Sequence, residues 1–592
     1  MKKKNILLSV LALSSVAVTA CQKKTAYDSL KYSEADANIY REKNKIDKSI
    51  SLRFYENMPH VPYIGVKQYY QEFFNTSVNL DIDDTIYTIK SGEASFTFDV
   101  KKDTLGIGDI DTFSHHPDFI SNNTKVFLAH TGTDVTASHL KMISLADYGI
   151  NVFGDKKDKD VYVPLTLLSE LSGGGYLYNV AYNGKDIYVL DGNGSLSGEE
   201  RFDTYFGDAY FSEIDNMNVA RSTDMAEYAY NQLCLTFDHL RGYTSQLIFG
   251  DNNLLTLGLD GVLEQYYPKI KRFLLSTDKK YYYAGLYCLF AGLYDGGHTV
   301  LYSGSQGTRS ASSLVAQEED LLPLASEYLT DVIFKVSLRS AHIRDREAAL
   351  NLEDGETKYY RYDAVTKTAY IGFNSFDVDY QAWDSFYKGN KDESEAPVDT
   401  DTYAFVRSKL YQAKDDGVEN VILDLTTNGG GNSHALNGLC GLFNGANADF
   451  TMNNTVQKTR ITEHYKVDIN LDGKYDEADV EEANSFDFKV AVLTGNYSFS
   501  CANLFPSLMK EYGYSIVGAR SGGGSCAISL GSTADGITFI HSNYHCLSNA
   551  NGDNIDDGVP LDFEIPIYDE SGVFDGSHLY DYVTIKDYLD TL

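Results

Sequence analysis

From about residue 365 onward short, largely apolar runs alternate with helical segments. The runs are TAYIGF, NVILDL, KVAVLT, YSIVG and GITFI, and none alternates apolar with polar residues. A strand that is apolar on both faces has to be covered on both, which is the condition of a substantially parallel sheet with helices packed against it. The segment TYAFVRSKLYQAKDDG lies between the first two runs, opened by Asp401 as an N-cap and closed by Gly417. It reads as the first crossover helix. The expected fold of this part is α/β, built from βαβ crossovers.

The rest of a 592-residue chain needs further cores. Between about 220 and 330, MAEYAYNQLCLTFDHL, LDGVLEQYYPKIKRFLL and KYYYAGLYCLFAGLYDGG carry apolar residues three and four apart, the period of helices. From 51 to 200 alternation dominates, as in EASFTFDV and KDIYVLDG, and predicts a β-rich region. Two stretches of it share a grammar: VPYIGVKQYYQEF and YVPLTLLSELSGG each set a proline in an apolar strand before a short amphipathic helix. The second, through YNVAYNGKDIYVL, resembles the copper-amine-oxidase N-terminal-like modules of bacterial surface proteins, which implies an adaptor rather than copper chemistry. The 46 tyrosines are spread through the chain, which favours a role in strands and core edges over the alternative of glycan stacking.

The N-terminus opens with MKKKNILLSVLALSSVAVTAC, a lysine n-region, an apolar stretch of signal-peptide length and small residues before Cys21. It is too short to remain as a spanning helix. Its VTAC ending resembles the bacterial lipobox, which implies removal of residues 1–20 and lipidation of Cys21, and with it an extracytoplasmic, membrane-anchored protein. Residues 21–50 are polar and lysine-rich and read as a tether. The formal net charge is -34, and cleavage would remove three lysines and make it more negative. With no basic patch to oppose it, this charge excludes nucleic acid as a partner. Beyond Cys21 the six cysteines are widely spaced, with neither a CxxC metal pattern nor a disulfide framework, and read as mostly buried thiols.

Chemistry concentrates in KVAVLTGNYSFSCANLFPSLMKEYG, read as strand, turn and helix. In open α/β sheets ligands bind at the carboxyl ends of strands, and a helix N-terminus there offers unpaired N–H groups to developing negative charge. Of Ser498, Ser500 and Cys501, Ser500 fits the exposed first position best; Ser498 suits the turn and Cys501 the packing. On these residues alone Ser500 is either a nucleophile or a plain N-cap. VILDLTTNGGGNS, residues 421–433, ends another apolar run in three glycines, which let backbone N–H groups come close to a ligand, as an oxyanion site requires. A tight turn under a helix is the alternative.

The order TAYIGFNSF, VILDLTTNGGG, VAVLTGNYSFSCANLF, YGYSIVGARSGGG and DGVPLDFEIP resembles the tail-specific (C-terminal-processing) serine peptidases, a family that includes the tricorn core protease. The resemblance spans about residues 365–568. It implies a ClpP/crotonase-like α/β catalytic domain over residues 340–592, with a helical lead-in at 220–330. It also implies Ser500 as nucleophile, with the Cys501 N–H and the Gly429–Gly431 loop, at Gly430, as oxyanion donors. In the Ser-Lys branch a lysine follows a glycine in the loop after VG; here that loop reads ARSGGGS, with Gly524 at the place of the lysine. A serine hydroxyl still needs a base. LYDGGHT, residues 293–299, resembles the histidine motif of the tricorn-like branch and implies His298, with His434, His541 and His545 as rivals. The family also places an acid before its final G-V/I-x-P-D motif. Here the usual position is Ile555, so Asp556 is the implied orienting residue. Asn503 stands where Ser-Lys members carry an acid. Arg520 is a candidate for a substrate carboxylate or a plain surface residue. No PDZ-like segment is evident between the helical part and the sheet.

Inside this region DINLDGKYDEAD, residues 468–479, sets oxygen side chains at loop positions 1, 3, 5, 9 and 12 with Gly473 at position 6, the spacing of a wrapped Ca²⁺. The expected ligands are Asp468, Asn470, Asp472, Lys474 through its carbonyl, Asp476 and Asp479, bracing an insertion. The sequence thus predicts a lipid-anchored serine endopeptidase acting on protein or peptide through an acyl-enzyme, with no catalytic cofactor. The alternative is a non-catalytic surface lipoprotein that binds peptides or ligands on the same fold.

Overall fold

A computed structural model describes residues 30–592 apart from positions 42–43, 93, 115–123, 137, 174–177, 192–209, 213, 215, 243–246, 302–305, 390–392 and 569–570. The signal segment and Cys21 lie outside the described residues. Among the described residues no helix is long and apolar enough to cross a membrane.

The apolar runs build a six-stranded sheet in the order Lys358–Asp363, Thr368–Phe373, Asn420–Asp424, Lys489–Thr494, Ser515–Gly518 and Phe563–Glu564. The first pair is antiparallel and every later pair is parallel, each new strand being added on the same side. In the four middle strands alternate residues face opposite cores, which is why those strands show no polar face. Ile371, Leu423, Val492 and Ile516 enter one core; Tyr370, Ile422, Leu493 and Val517 enter the other. The first core is closed by helices Thr402–Asp416, Ser433–Phe443 and Cys501–Glu511, through Val406, Leu410, Leu436, Leu439, Leu504 and Leu508. Asp401 caps the first of these helices, its side chain accepting the Ala404 N–H, and Gly417 ends it at φ 72°.

The GITFI run is not part of this sheet. It opens the strand Thr538–Leu547, which pairs antiparallel with Cys526–Ser532, Val300–Leu301 and Asn447–Asn454 in a second sheet. A buried apolar run carries no mark of strand direction, so parallel and antiparallel placements look alike in sequence. That sheet continues through Thr459–Val467 to Leu128–Val135, a strand supplied by the β-rich N-terminal part. The helical part, from Thr223–His239 to Leu322–Leu350, packs its core on Leu530, Phe539 and Ile540 of the same sheet.

The expected tether at 21–50 is corrected where the structure describes it. Tyr32–Arg41 and Asn44–Tyr55 form an antiparallel hairpin in a seven-stranded sheet. Over its outer half only exposed residues alternate, and in Tyr32–Arg41 burial is confined to Ala37 and Ile39, so its apolar signal was too thin to read. The two proline-bearing strands, Met58–Gly65 and Asp160–Pro164, each run directly into a helix, Val66–Phe74 and Leu165–Gly173. They lie side by side antiparallel, Tyr63 opposite Pro164.

Candidate active site

The turn after strand Lys489–Thr494 separates the three candidate nucleophiles. Ser498 is buried and fully used: its Oγ donates to the Leu425 carbonyl (2.7 Å) and accepts the Gly495 N–H (3.0 Å). Cys501 is buried, its Sγ donates to the Gly431 carbonyl (3.2 Å), and burial pushes the thiol up to about 12. Ser500 is half-buried, and although it stands at the N-cap its side chain makes no capping bond. Its backbone is at φ 56°, ψ -120°, the first central position of a type II′ turn, closed by the Ala502 N–H on the Phe499 carbonyl (3.0 Å). Glycine takes this conformation freely and serine does not. The strain holds the Ser500 side chain off the capping position, at the head of the helix.

The glycine loop lies against this turn. A Cβ at Gly430, where φ is 107°, would stand 2.7 Å from Ser500 Cβ and 3.1 Å from the Cys501 nitrogen. Only glycine permits that approach. The expectation that Gly430 supplies an oxyanion N–H is corrected, because that N–H donates to Asn428 Oδ1 (2.8 Å). The loop is bridged to Phe376 through the Gly430 carbonyl and the Asn432 N–H, which leaves the Gly431 N–H facing away from Phe376. The Cys501 N–H is an orphan donor of the first helical turn.

His298 reaches the same turn from the helical part. It precedes Val300–Leu301, whose pairing with Ile540 and Phe539 ties it to the second sheet. Its ring meets the Phe499 ring edge-on, centroids 4.7 Å apart, one residue before Ser500. His298 is buried and its Nδ1 has no hydrogen-bond partner among the described residues. Burial holds the imidazole below its ordinary value, against the pull of Asp295 and Asp556 in the other direction.

Asp295, which the sequence reading passed over, shapes the His298 loop. Buried, it accepts the N–H and Oγ of Thr299 (2.7 and 2.6 Å), the Oγ of Ser542 (2.7 Å) and Nη2 of Arg241 (3.2 Å). Burial pushes its carboxyl up, but Arg241, His298 and these hydrogen bonds outweigh that and leave it below the usual carboxylate range. The signal was on the page in LYDGGHT, as an aspartate four residues before a threonine that it can bond in a local turn.

The absence of a lysine at 524 has a steric counterpart. Gly524 sits at φ 83°, and a Cβ there would lie 2.5 Å from the Phe499 ring, the ring that His298 contacts. The loop is held to the turn by the Ser500 N–H on the Gly523 carbonyl (2.9 Å). Asp556 is buried one step behind, accepting the N–H and Oγ of Ser525 (both 3.2 Å). Asn503 is structural: its Nδ2 donates to the Ile555 carbonyl (2.8 Å) and its Oδ1 accepts the Ser521 hydroxyl (2.7 Å). Arg520 is exposed. The rival histidines are engaged elsewhere: His434 Nδ1 with the Tyr380 hydroxyl (2.8 Å), His545 with Asp111 (2.8 Å) and His541 with the Ser542 carbonyl (3.1 Å).

The 468–479 loop does not assemble the expected ligand set. Among the described residues no group of three or more His, Cys, Asp or Glu side chains is arranged to hold a metal ion. The loop's oxygens are turned onto its own backbone instead. Asp468 accepts the N–H groups of Asp472 and Gly473 (3.1 and 2.8 Å), and Asn470 also accepts that of Asp472 (2.9 Å). Asp472 pairs with Lys474 (2.6 Å). Asp476 caps the following helix, and Asp479 accepts the N–H groups of Ile469, Asn470 and Asp476 (2.7, 3.2 and 2.9 Å).

None of the curated proteins matches the chain. Among solved structures it is similar to the photosystem II D1 C-terminal processing protease, at 16% identity over 36% of this chain and 48% of that one, TM-score 0.25. It is also similar to a putative peptidase from Parabacteroides merdae, at 14% identity over 51% and 94%, TM-score 0.31, and to the tricorn protease, at 16% over 46% and 20%, TM-score 0.21. The chain thus spans about half the length of the processing protease. Residues 367–565 match the model of peptidase family S41, and the strand ends, glycine loop and Ser500 turn all fall within them. Residues 367–565 are a serine-peptidase domain of family S41.

Proposed function

We propose that the chain is an extracytoplasmic serine endopeptidase, anchored to a bacterial membrane by lipid on Cys21, that cuts peptide bonds through an acyl-enzyme on Ser500. The observation that carries the chemistry is His298: a buried imidazole, kept neutral by burial, against the residue that precedes a strained and uncapped Ser500. A neutral imidazole can take the Ser500 proton as the hydroxyl attacks a carbonyl, and return it to the leaving amine. Asp295 and Asp556 both favour the imidazolium that forms in between. The Cys501 and Gly431 N–H groups receive the charge on the tetrahedral oxygen. The anchor rests on the VTAC ending alone.

The test is a fluorophosphonate probe, which phosphonylates an activated serine. The wild type is expected to label, with the adduct mapped to Ser500, and Ser500→Ala to stay unlabelled. Labelling of Ser500→Ala at wild-type rate would overturn the assignment. For the anchor, radiolabelled fatty acid is expected in the wild type and absent from Cys21→Ala.

A further inference from the structure

Two thiols stand together behind the loop that borders Ser500. Cys526 and Cys546 occupy directly opposed positions on antiparallel strands Cys526–Ser532 and Thr538–Leu547, with their sulfurs 3.2 Å apart. Opposed residues of an antiparallel pair have Cα atoms about 4.5–5.5 Å apart, inside the span a disulfide bridges without moving backbone. A third segment presses on them. A Cβ at Gly242 would lie 2.4 Å from the Cys526 sulfur and 3.0 Å from that of Cys546, so a bare backbone is what leaves room for both. Cys526 is buried and Cys546 only partly so, which gives the pair one face open to a reagent.

We infer that Cys526 and Cys546 form a reversible disulfide that staples the loop beside Ser500 to the strand that aligns His298. Cys526 follows Gly523, whose carbonyl holds the Ser500 N–H, and Ser525, whose N–H and hydroxyl hold Asp556. Cys546 lies one residue before the end of the strand Thr538–Leu547, whose Ile540 and Phe539 pair with Val300 and Leu301, just beyond His298. The reaction is thiol–disulfide exchange with a disulfide oxidant such as oxidised glutathione. The Cys546 thiolate attacks the oxidant, forming a mixed disulfide and releasing one thiol. The Cys526 sulfur then attacks the Cys546 sulfur, forming the internal S–S bond and releasing the second thiol. Two cysteine S–H groups are oxidised, the oxidant's S–S bond is reduced, and the two protons leave on the released thiols.

The experiment equilibrates the folded full chain with oxidised glutathione, quenches with acid, denatures, alkylates and maps peptides. The expected result is loss of two alkylatable thiols and a cross-linked peptide joining Cys526 to Cys546, restored to two alkylated cysteines by dithiothreitol. The oxidised wild type should also have a higher Tm than the reduced one, a difference that Cys546→Ser abolishes while matching the reduced wild type's Tm. Either of two outcomes would overturn the inference: both cysteines remaining alkylatable after equilibration, or glutathione persisting on Cys546 with no internal cross-link. If Cys546→Ser alone failed to fold, the peptide map of the wild type would still decide.

Discussion

Two loops of the same domain, the turn at 495–500 and the loop at 468–479, both looked functional in sequence and differ in how they treat their polar groups. The 468–479 loop closes on itself: Asp468, Asp476 and Asp479 spend their oxygens on the loop's own N–H groups, and Lys474 neutralises Asp472. The 495–500 turn does the reverse. Ser498 pins it from beneath, and that frees Ser500 to hold a strained backbone with no cap bond, beside a histidine whose Nδ1 has no acceptor or donor among the described residues. Unspent polar capacity in a buried setting costs stability. A fold retains it where another molecule is to use it.

The largest expected effect breaks the open half of this comparison. Replacing His298 by Ala should lower kcat/KM on a fluorogenic peptide by a factor on the order of 10² to 10⁴, the usual share of general-base help. The base works in its neutral form, so wild-type activity should rise with pH through the His298 pKa and level off above it. Because burial holds that pKa below 6.5, the plateau should extend into mildly acidic solution. The acid limb should vanish in His298→Ala. An unchanged profile in that variant would assign the limb, and the base, to another group.

A smaller effect is expected one residue shell away. Asp295→Asn keeps the shape of the side chain but leaves Arg241 without its buried counter-charge, a loss typically of about 3–5 kcal/mol. Its pKa in the fold lies below the ordinary 3.8. Its charge therefore contributes stability that is fully present above that value and lost as pH falls through the lower folded value. Activity should drop by about tenfold to a hundredfold from a displaced His298. A merely structural role would stop there. Asp295 also raises the His298 pKa, so the variant's acid limb should move to lower pH, and a limb that stays in place would sink the electrostatic coupling.

What was legible in sequence and what was not follows from what each feature leaves there. The parallel sheet was readable because burial on both faces forces unbroken apolar runs, and the Asp401 and Gly417 ends because caps are local. The Ser500 turn was readable as a place, and its ranking over Ser498 and Cys501 followed from the strand-to-helix pattern. What could not be read was anything fixed by a distant partner. The bond from Asn428 that takes the Gly430 N–H, the Phe499 ring that closes the space over Gly524, and the strand 128–135 borrowed from the N-terminal part arise only when separated segments meet. The calcium spacing of the 468–479 loop stays an expectation for a related reason. Spacing fixes which oxygens can face inward, but not whether they find a cation or a backbone N–H first.

That last point yields the smallest expected effect. Asp479→Ala removes the acceptor of three backbone N–H groups, those of Ile469, Asn470 and Asp476. Leaving buried donors unpaired typically costs about 1–3 kcal/mol each before relaxation or water entry, so Tm should fall. Since among the described residues none of the Asp479 bonds reaches the Ser500 turn, kcat/KM should stay within about twofold of wild type at temperatures where both are folded. Chelation with EGTA should likewise leave kcat/KM unchanged and shift Tm less than Asp479→Ala does. A chelator effect on Tm larger than that of the variant would mean that the oxygens of this loop do gather around a cation in solution. A chelator effect on kcat/KM would go further and make the two loops one device, with the closed loop holding the open one in place.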